Sequence, residues 1–451
     1  MLVKKIISPF VSPIELLEVL PKGSRFLLES TLISKEHRYA LLGFDPSGRF
    51  SSSHWGGACD LFTEWSRLLE SSGAPDSRLP FCGGWVGGLS YEASQLFEDI
   101  PVHEDSIGLP HLFFYYVDHF FLFDLWEKSL QIIAIGHDRK ECQSKIDKLD
   151  HYVSRVSKHK DREGTGIPFP LERLQSFSNF TPEHYLATIK RIQEFIRSGH
   201  SYQVNLAQRF TLPSIADPLA IYRELSRISP VPFASYFEWD DIVILSASPE
   251  RLFKKVGRNI HTRPIAGTRR MGSPEELAKF IKELASDPKE CAEHAMLVDL
   301  ARNDLGRICE FGTVKVDKFM EFVPYSYVIH TESDVIGKLR SDVSFWDIFR
   351  AVFPGGTITG VPKIRTMEII HELEPHNRSI YTGSLGYISR CGNMDFNIMI
   401  RSIVCKRDKA YTWAGGGITF DAIPEREYKE TLNKAKPQLI AIASRNPSLN
   451  F

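Results

Sequence analysis

The chain has 451 residues, a length that allows roughly two to four domains of ordinary size. Hydrophobic residues make up 43% and charged residues 25%, as in globular proteins whose core needs no disulfide or structural metal to fold. The formal net charge is −1, from 55 basic and 56 acidic residues, so there is no basic footprint for nucleic acid. A small molecule or another protein is therefore the expected partner.

Seven cysteines are scattered along the chain without a Cys-x-x-Cys pair. This spacing argues against a zinc site or a disulfide framework and favours a reducing compartment. Pro9 and Pro13 interrupt a short apolar stretch at the N-terminus, so no signal sequence is predicted. No run approaches the ~20 apolar residues of a membrane-spanning helix, and we therefore expect a cytoplasmic protein without membrane contact.

The N-terminal region, residues 1–155, contains short apolar runs separated by turns, which predict strands of an antiparallel sheet. These runs are RFLLES, HRYALLGF, WVGGLSY, LFFYYVDHFFLFDLW and QIIAIG, and a helical pattern follows over residues 138–158. Residues 156–180 are rich in glycine, proline and charge, and we interpret them as a linker.

The C-terminal region, residues 181–446, opens with a helix that Thr181 is suited to cap, Pro182 to begin and Gly199 to end. Further helix starts are predicted at the capping box of Ser273 and Glu276, at Asp287 and Pro288, and near Pro424. Predicted strands include YQVNLAQRF, FASYFEW, IVILSAS, ERLFKKV, YTGSLGYIS and FNIMIRSIV. Because strands and helices come in blocks rather than in strict alternation, the sequence predicts an α+β fold.

Two predicted helices carry carboxylates on one face. Glu290 and Glu293 are three residues apart, and Glu427, Glu430 and Lys434 follow a spacing of three and four. Such pairs usually mark a solvated surface, but both sets lie opposite strongly apolar stripes and near glycine-rich segments. Four carboxylates from two helices would suit a Mg²⁺ site, and Lys434 would balance charge or hold a substrate carboxylate.

Three loops, at residues 263–270, 353–363 and 414–418, are rich in glycine and short polar residues. Glycine lets a backbone approach a ligand closely and present its N–H groups to an anion, although plain turns have the same composition. None of the loops matches a nucleotide-binding motif. The loops are therefore interpreted either as plain turns or as backbone that holds an anion.

Three single residues are candidates for a cleft. Arg401 alternates away from the Phe/Ile face of the predicted strand DFNIMIRSIV, where it would either contact solvent or bind a carboxylate with both guanidinium nitrogens. Glu250 follows Ser-Ala-Ser-Pro at a predicted strand end, a suitable position for a general acid. His330 follows an aromatic run, and both a structural and a catalytic role are open.

Together, these motifs resemble the chorismate-utilising enzymes: anthranilate synthase component I, aminodeoxychorismate synthase component I, isochorismate synthase and salicylate synthase. The resemblance covers nearly the whole chain. It is strongest in SYQVNLAQRF, SASPERLF, RPIAGTRR, ECAEHAMLVDLARNDLGR, FPGGTITGVPKIRTMEIIHELEP, MDFNIMIRS, AGGGI and EREYKETLNKAK. It implies antiparallel sheets packed as a sandwich with helices outside, an anthranilate-synthase-like N-terminal region and a chorismate-binding C-terminal region.

The resemblance also implies a metal centre and an acid. Glu293 and Glu430 would bind Mg²⁺, while Glu290 and Glu427 would act directly or through water. Glu250 matches the acid that protonates the departing C4 hydroxyl of chorismate. A metal clamp with a positioned acid suits the displacement of a poor leaving group.

The substrate contacts are implied in the same way. Tyr387 and Arg401 would hold the enolpyruvyl carboxylate, and the metal with the backbone of Gly415, Gly416 and Gly417 would hold the ring carboxylate. The other matched pocket positions are Gln203, Ala266, Gly267, Thr268, His330, Thr357 and Lys434, of which His330, Thr357 and Lys434 are expected to be catalytic.

Gln203 narrows the choice of nucleophile. Family members that add water have a lysine base where this chain has Gln203, and a glutamine cannot deprotonate water. Isochorismate and salicylate synthase are therefore disfavoured, and the nucleophile should be ammonia. Since the chain has no G-x-C-x-G turn of a glutaminase, we expect a separate glutamine amidotransferase partner.

Two aminating reactions remain open. QVNLAQRF, FPGG, DFNIMIRS, AGGGI and the short length favour aminodeoxychorismate synthase, which supplies p-aminobenzoate for folate. Ala266, however, occupies a position where many aminodeoxychorismate synthases have a nucleophilic lysine and anthranilate synthases have alanine. Thr357 and the LLES motif of residues 27–30 are also similar to anthranilate synthase, in which LLES belongs to the tryptophan feedback site.

A third hypothesis belongs to another class: a catalytically silent, ligand-sensing partner of an amidotransferase. The complete set of candidate site residues argues against it, namely Glu250, Glu293, Arg401 and Glu430. We therefore predict an aminodeoxychorismate synthase component, with anthranilate synthase as the alternative.

Overall fold

The computed structural model describes residues 1–53, 79–103, 106–156, 175–214, 216–270, 281–283, 286–324 and 328–446. The helices in these ranges are α1 (Pro13–Val19), α2 (Arg139–Val153), α3 (Pro182–Arg197), α4 (Pro218–Ile228), α5 (Pro288–Gly306), α6 (Phe345–Val352), α7 (Lys363–Leu373) and α8 (Pro424–Ala443).

The first strands are β1 (Leu2–Ile7), β2 (Phe26–Glu29), β3 (Tyr39–Gly43), β4 (Gly48–Ser52), β5 (Gly84–Leu89), β6 (Leu112–Val117), β7 (His119–Asp124) and β8 (Ser129–Ile135). The middle of the chain adds β9 (Gln203–Pro213), β10 (Phe233–Trp239), β11 (Ile242–Ser248), β12 (Arg251–Val256), β13 (Asn259–Arg263), β14 (Ile265–Arg270), β15 (Lys315–Pro324) and β16 (Val328–Lys338). The last strands are β17 (Gly360–Val361), β18 (Ser384–Ser389), β19 (Met394–Asn397), β20 (Ser402–Lys406) and β21 (Lys409–Ile418).

Two antiparallel sheets organise these strands. The first sheet has 11 strands in the order β1-β8-β7-β3-β2-β10-β11-β20-β21-β9-β17. The second has 10 strands in the order β14-β16-β13-β12-β19-β18-β5-β6-β4, with β15 pairing β16 outside this path. The predicted α+β class with antiparallel sheets is confirmed.

The core lies in three layers. Side chains of both sheets meet in a central cluster rich in aromatic rings, which includes Phe26 and Phe237 of the first sheet and Phe113 of the second. The outer face of the first sheet packs against α1, α2, α3, α4 and α8, while α5 and α6 cover the second. Burying an apolar face on each side of each sheet produces the predicted sandwich with helices outside.

Both sheets combine strands from the two predicted regions. In the first sheet β2 pairs with β10, and in the second β5 pairs with β18. Most of the linker predicted over residues 156–180 lies outside the described residues, and the division into regions remains a prediction.

The helix predicted from Thr181 is α3. The Thr181 side chain accepts a hydrogen bond from His184 N, Pro182 is the first helical residue, and Gly199, just past the end, has a φ of +78°. α5 and α8 also begin at the predicted prolines, whereas the capping box predicted around Pro274 lies outside the described residues. No helix in the described part of the chain is long and apolar enough to cross a membrane.

The chain changes sheets at six points between the described strands, and one of them corrects a predicted strand. β6 and β7 lie in different sheets, as do β11 and β12, and also β19 and β20. The single strand predicted across DFNIMIRSIV is therefore wrong, because residues 398–401 leave the ladder between β19 and β20. Arg401 has a φ of +52°, a left-handed conformation that ends the extended alternation of side chains.

A buried ion pair joins the elements around these corners. The Arg378 guanidinium contacts Glu374 through hydrogen bonds of 2.6 and 2.9 Å, and both side chains are almost fully buried. Arg378 also donates to the carbonyls of Asn205 at 2.7 Å and Ile358 at 2.8 Å, while Glu374 accepts from Ala207 N at 2.8 Å. The pair therefore ties β9 to the end of α7 and to the 3₁₀ turn that contains Ile358.

We expect Glu374→Ala to lower the free energy of unfolding by about 3–5 kcal/mol, because it leaves the Arg378 charge buried and unpaired. Glu194→Ala is the matched control, since its ion pair with Arg191 is half-exposed and should contribute less than about 1 kcal/mol. Urea denaturation of both variants measures the two losses. Equal losses would contradict this role of the buried pair.

Candidate active site

Glu250 lies at the corner between β11 and β12. Its backbone carbonyl accepts a hydrogen bond of 3.0 Å from Ile398 N, in the neighbouring corner between β19 and β20. Its side chain is buried, and Oε1 accepts a hydrogen bond of 2.8 Å from Thr357 Oγ1. A strand end and the 3₁₀ turn Gly356–Ile358 thus bring together two predicted catalytic residues.

Burial makes Glu250 a candidate proton donor. It raises the pKa of the carboxyl group to about 7, although hydrogen bonds with Thr357 and the Ile265 backbone oppose the rise and the charge of Glu332 adds to it. A carboxyl group with this pKa is about half protonated at pH 7 and largely protonated one pH unit lower. Glu250 therefore meets the protonation requirement of a general acid.

Arg401 lies beside this corner, at the start of β20. Ala247 N, at the end of β11, donates a hydrogen bond of 3.1 Å to its carbonyl oxygen. The side chain is half-buried, and this desolvation lowers the pKa of the guanidinium. It has no ion pair or hydrogen bond with another side chain of the described residues, so an anionic ligand would supply its counter-charge.

The glycine strand, residues 415–417 of β21, lies against two amide side chains of β9. A Cβ on Gly417 would overlap the Gln203 side-chain amide, and one on Gly415 would lie 2.7 Å from Asn205 Oδ1. Gln203 Oε1 and Asn205 Oδ1 are buried, and neither accepts a hydrogen bond within the described structure. Two oriented acceptors are thus available to a ligand with N–H or O–H groups.

The predicted residues of α8 also lie at the glycine strand. Lys434 Nζ donates to Gly415 O at 3.2 Å and forms an ion pair of 2.7 Å with Glu430. A Cβ on Gly416 would lie 3.7 Å from a carboxylate oxygen of Glu427 and 3.9 Å from Lys434 Nζ. α8 therefore places two carboxylates and one ammonium group beside this backbone.

The strand pair β14–β16 brings other predicted positions to the same region. Ala266 follows Ile265, whose backbone hydrogen-bonds Glu250, and Thr268 pairs with the buried His330. The register shifts between Ala266 and Thr268, at Gly267. The side chains of residues 266–270 lie outside the described structure.

Tyr387, which is expected to join Arg401, lies on β18, and the role implied for it stays a prediction. Its ring packs edge-on against Phe81 at 5.3 Å. Both rings line a separate cavity, here called the N-terminal pocket, whose walls include Leu28, Glu29, Ser30, Phe81, Arg251 and Tyr387. Residues of the LLES motif thus line a pocket. Tyr387 belongs to this pocket rather than to the site around Glu250.

Tyr381, in contrast, lies beside the glycine strand. It precedes β18, and its hydroxyl lies within hydrogen-bonding reach of the Gly415 backbone. Its ring lies parallel to that of Trp413, with centroids 6.2 Å apart. Tyr381 and Asn205 are candidate site residues that the sequence analysis did not name. The motif YTGSLGY contains both tyrosines, six residues apart. Their environments differ because Tyr381 precedes β18, whereas Tyr387 lies within it.

The four predicted metal ligands lie on α5 and α8, and the metal site stays a prediction. The Glu290 side chain lies outside the described residues, and Glu293 is half-buried on α5, which contacts β14, β16 and the turn Gly356–Ile358. Within the described structure, no three His, Cys, Asp or Glu side chains converge as metal ligands do. The oxygens of Glu427 and Glu430 beside the glycine strand are of the chemical type that Mg²⁺ prefers.

Comparison with known proteins identifies the family. A family model described as chorismate binding enzyme matches residues 27–439. The chain belongs to the chorismate-binding enzymes. Anthranilate synthase component 1 of Thermus thermophilus is 36% identical over 446 residues, covering 96% of this chain and 95% of that protein. Aminodeoxychorismate synthase component 1 of Bacillus subtilis is 37% identical over 430 residues, covering 91% and 89%.

Solved structures place the fold in the same family. Anthranilate synthase component I from Streptococcus pneumoniae superposes with a TM-score of 0.81 at 31% identity, over 96% of this chain and 98% of that chain. The menaquinone-specific isochorismate synthase from Escherichia coli has a TM-score of 0.74 at 16% identity, a likeness of fold alone. This chorismate-binding enzyme is thus a chorismate-utilising component I, and relatives with two different products match it about equally well.

In this chorismate-binding enzyme, we expect Gly415→Ala to lower the free energy of unfolding by about 1–3 kcal/mol. The new methyl group would lie 2.8 Å from the Leu206 carbonyl oxygen, a backbone atom that cannot swing away. Gly416→Ala is the control, because its methyl group would meet its nearest neighbour at 3.7 Å and should change stability by less than about 0.5 kcal/mol. Urea denaturation compares them, and equal stability of the two variants would refute the close approach.

Proposed function

We propose that this chain is the synthase component of an aminodeoxychorismate synthase, which converts chorismate and ammonia to 4-amino-4-deoxychorismate for p-aminobenzoate and folate. The observation that carries the proposal is the buried Glu250 carboxyl, whose pKa is raised to about 7 beside Thr357. Replacing the C4 hydroxyl requires a proton at that oxygen, because hydroxide is a poor leaving group. Glu250 would supply this proton and the hydroxyl would depart as water.

Two carboxylates of chorismate require two cationic or N–H-rich partners. Arg401, which has no carboxylate partner among the described side chains, would bind the enolpyruvyl carboxylate with the help of Tyr381. The glycine strand, with Lys434 at 3.2 Å from the Gly415 carbonyl, would receive the ring carboxylate. Such fixed contacts would hold the C4 oxygen against Glu250.

Ammonia would be oriented by the amides of β9. The buried oxygens of Gln203 and Asn205 accept no hydrogen bond within the described structure, and each can accept an N–H of ammonia. Neither amide is a base. This favours ammonia over water as the nucleophile, because water would have to be deprotonated and ammonia would not. Since Ala266 has no amine, ammonia itself would be the first nucleophile at C2. A second ammonia would then form a bond to C4 while the C2–N bond breaks and the first ammonia leaves.

Mg²⁺ is part of the proposal. Glu430 and Glu427 of α8, together with Glu293 and Glu290 of α5, are the residues that would hold it. When bound, the ion would supply positive charge for the ring carboxylate of the substrate.

The proposal includes a partner and a location. A glutamine amidotransferase would supply the ammonia, as the designation component 1 of the relatives suggests. The proposed location is the cytoplasm, which agrees with free thiols at the described cysteines.

Anthranilate synthase is the second candidate, because the N-terminal pocket contains Leu28, Glu29 and Ser30 of the LLES motif. It would share the first amination at C2 and then release pyruvate instead of adding ammonia at C4. The relatives of the two types, at 36% and 37% identity, do not separate the reactions. The product does.

We expect the purified chain with chorismate, Mg²⁺ and excess ammonium to form aminodeoxychorismate, which an added aminodeoxychorismate lyase converts to p-aminobenzoate. Mass spectrometry with and without the lyase identifies the product, and a chelator should stop turnover until Mg²⁺ is restored. Anthranilate and pyruvate without lyase would establish the second candidate. Unchanged chorismate would instead support a silent partner of an amidotransferase.

We expect Glu250→Gln to reduce kcat by about 10²–10⁴-fold, because an amide cannot donate the required proton. In the parent chain, the acid form of Glu250 is present below pH 7 and is lost above it, so kcat/KM should fall roughly tenfold per pH unit above about 7. Glu29→Gln is the matched control, since burial also raises the pKa of Glu29 to about 7, but in the N-terminal pocket. Persistence of full turnover in Glu250→Gln would remove this residue from the mechanism.

A further inference from the structure

Two cysteines distant in the chain face each other at the end of β18. Cys82 precedes β5, and Cys391 lies in the turn that follows β18. Gly84 pairs with Ser389 in this antiparallel ladder, which a further backbone hydrogen bond of 2.8 Å extends by one residue. Continuing the register places Cys82 opposite Cys391, where facing Cβ atoms lie ~4.5–5.5 Å apart. A disulfide between facing residues needs little adjustment from that separation.

One hydroxyl group lies between the two sulfurs. Cys82 Sγ and Cys391 Sγ are each 3.2 Å from Ser389 Oγ. Cys82 is fully buried, whereas Cys391 is half-buried. Only one member of the pair is thus accessible to a solution oxidant.

The two thiols differ in pKa, and this difference gives them different expected roles in oxidation. The interaction with Cys82 lowers the pKa of the Cys391 thiol to about 6, and the same interaction raises the pKa of Cys82. Cys391 is therefore the thiolate that reacts first at neutral pH, and Cys82 is the resolving thiol beside it.

We propose that Cys82 and Cys391 form a reversible disulfide when the chain meets a hydroperoxide. With hydrogen peroxide, the Cys391 thiolate attacks an oxygen, so that an S–O bond forms, the O–O bond breaks and hydroxide leaves. Cys82 then attacks the sulfenic sulfur, the S–S bond forms, and the S–O oxygen leaves as water with the Cys82 proton. Two thiols are oxidised to one disulfide, and the peroxide is reduced to two waters.

The cross-link would fix one wall of the N-terminal pocket. Phe81, next to Cys82, packs against Tyr387 of β18, and both side chains line this pocket. Joining Cys82 to the turn after β18 ties the segment of Phe81 to the strand of Tyr387. Oxidation would therefore restrict the opening of this pocket without touching Glu250 or Arg401. A thiol reductant would reverse the effect.

The test treats the full chain with hydrogen peroxide and maps it by mass spectrometry. We expect two fewer free thiols, an intact mass lower by about 2 Da, and one peptide pair linked through Cys82 and Cys391, all reversed by dithiothreitol. Hydrogen exchange of residues 79–84 should become slower in the oxidised chain. Because these readouts use the unmodified sequence, they do not depend on whether a variant folds.

Variants assign the roles. In Cys82→Ser, Cys391 should stop at the sulfenic acid and react with dimedone, while Cys391→Ser should leave Cys82 reduced. Cys291→Ser is the control, since this half-buried cysteine lies on α5, and its loss should leave the cross-link intact. A link that involves another cysteine, or oxidation of Cys391 to the sulfinic acid without a cross-link in the parent chain, would overturn the proposal.

Discussion

The ion pair between Arg378 and Glu374 is the constraint on which the rest of the site depends. A buried guanidinium needs all its donors satisfied, and here they bind a carboxylate, the Asn205 carbonyl and the Ile358 carbonyl. These partners belong to α7, to β9 and to the turn of Thr357. Since either charge alone would be costly to bury, the three elements keep one relative position. The amides of β9 and the hydroxyl that contacts Glu250 are thereby fixed together.

The two sheets give the acid and the cation their different environments. Glu250 and Arg401 both occupy corners where the chain passes from one sheet to the other, and backbone hydrogen bonds join these corners. Burial raises the pKa of Glu250 to about 7, so that its acid form is populated at neutral pH, while Arg401 has no counter-charge among the described residues. One group can give a proton and the other can hold an anion. This combination suits a dianionic substrate that loses a hydroxyl group.

Local patterns predicted the elements well, but not every side-chain direction. The cap at Thr181 was predictable because it depends on adjacent residues, and the position of Glu250 because it follows the end of a predicted strand. Arg401 was not placed correctly, since DFNIMIRSIV keeps an apolar alternation across a corner that only its left-handed backbone reveals. Tyr381 was missed for a related reason: it precedes β18, whereas Tyr387 lies within it. Whether glutamates of two helices converge depends on helix packing, which spacing along one helix does not contain.

The interleaving of distant strands has a consequence for synthesis on the ribosome. β5 pairs with β18, about 300 residues later in the chain, and β2 pairs with β10. The early strands therefore leave the ribosome long before their partners exist, and their edges and apolar faces remain uncovered. Long-range antiparallel pairing of this kind is slow, because loop closure precedes any gain from contact. The C-terminal helices that cover the first sheet are therefore synthesised late. Until then, a nascent chain exposes apolar surface of the kind that chaperones bind.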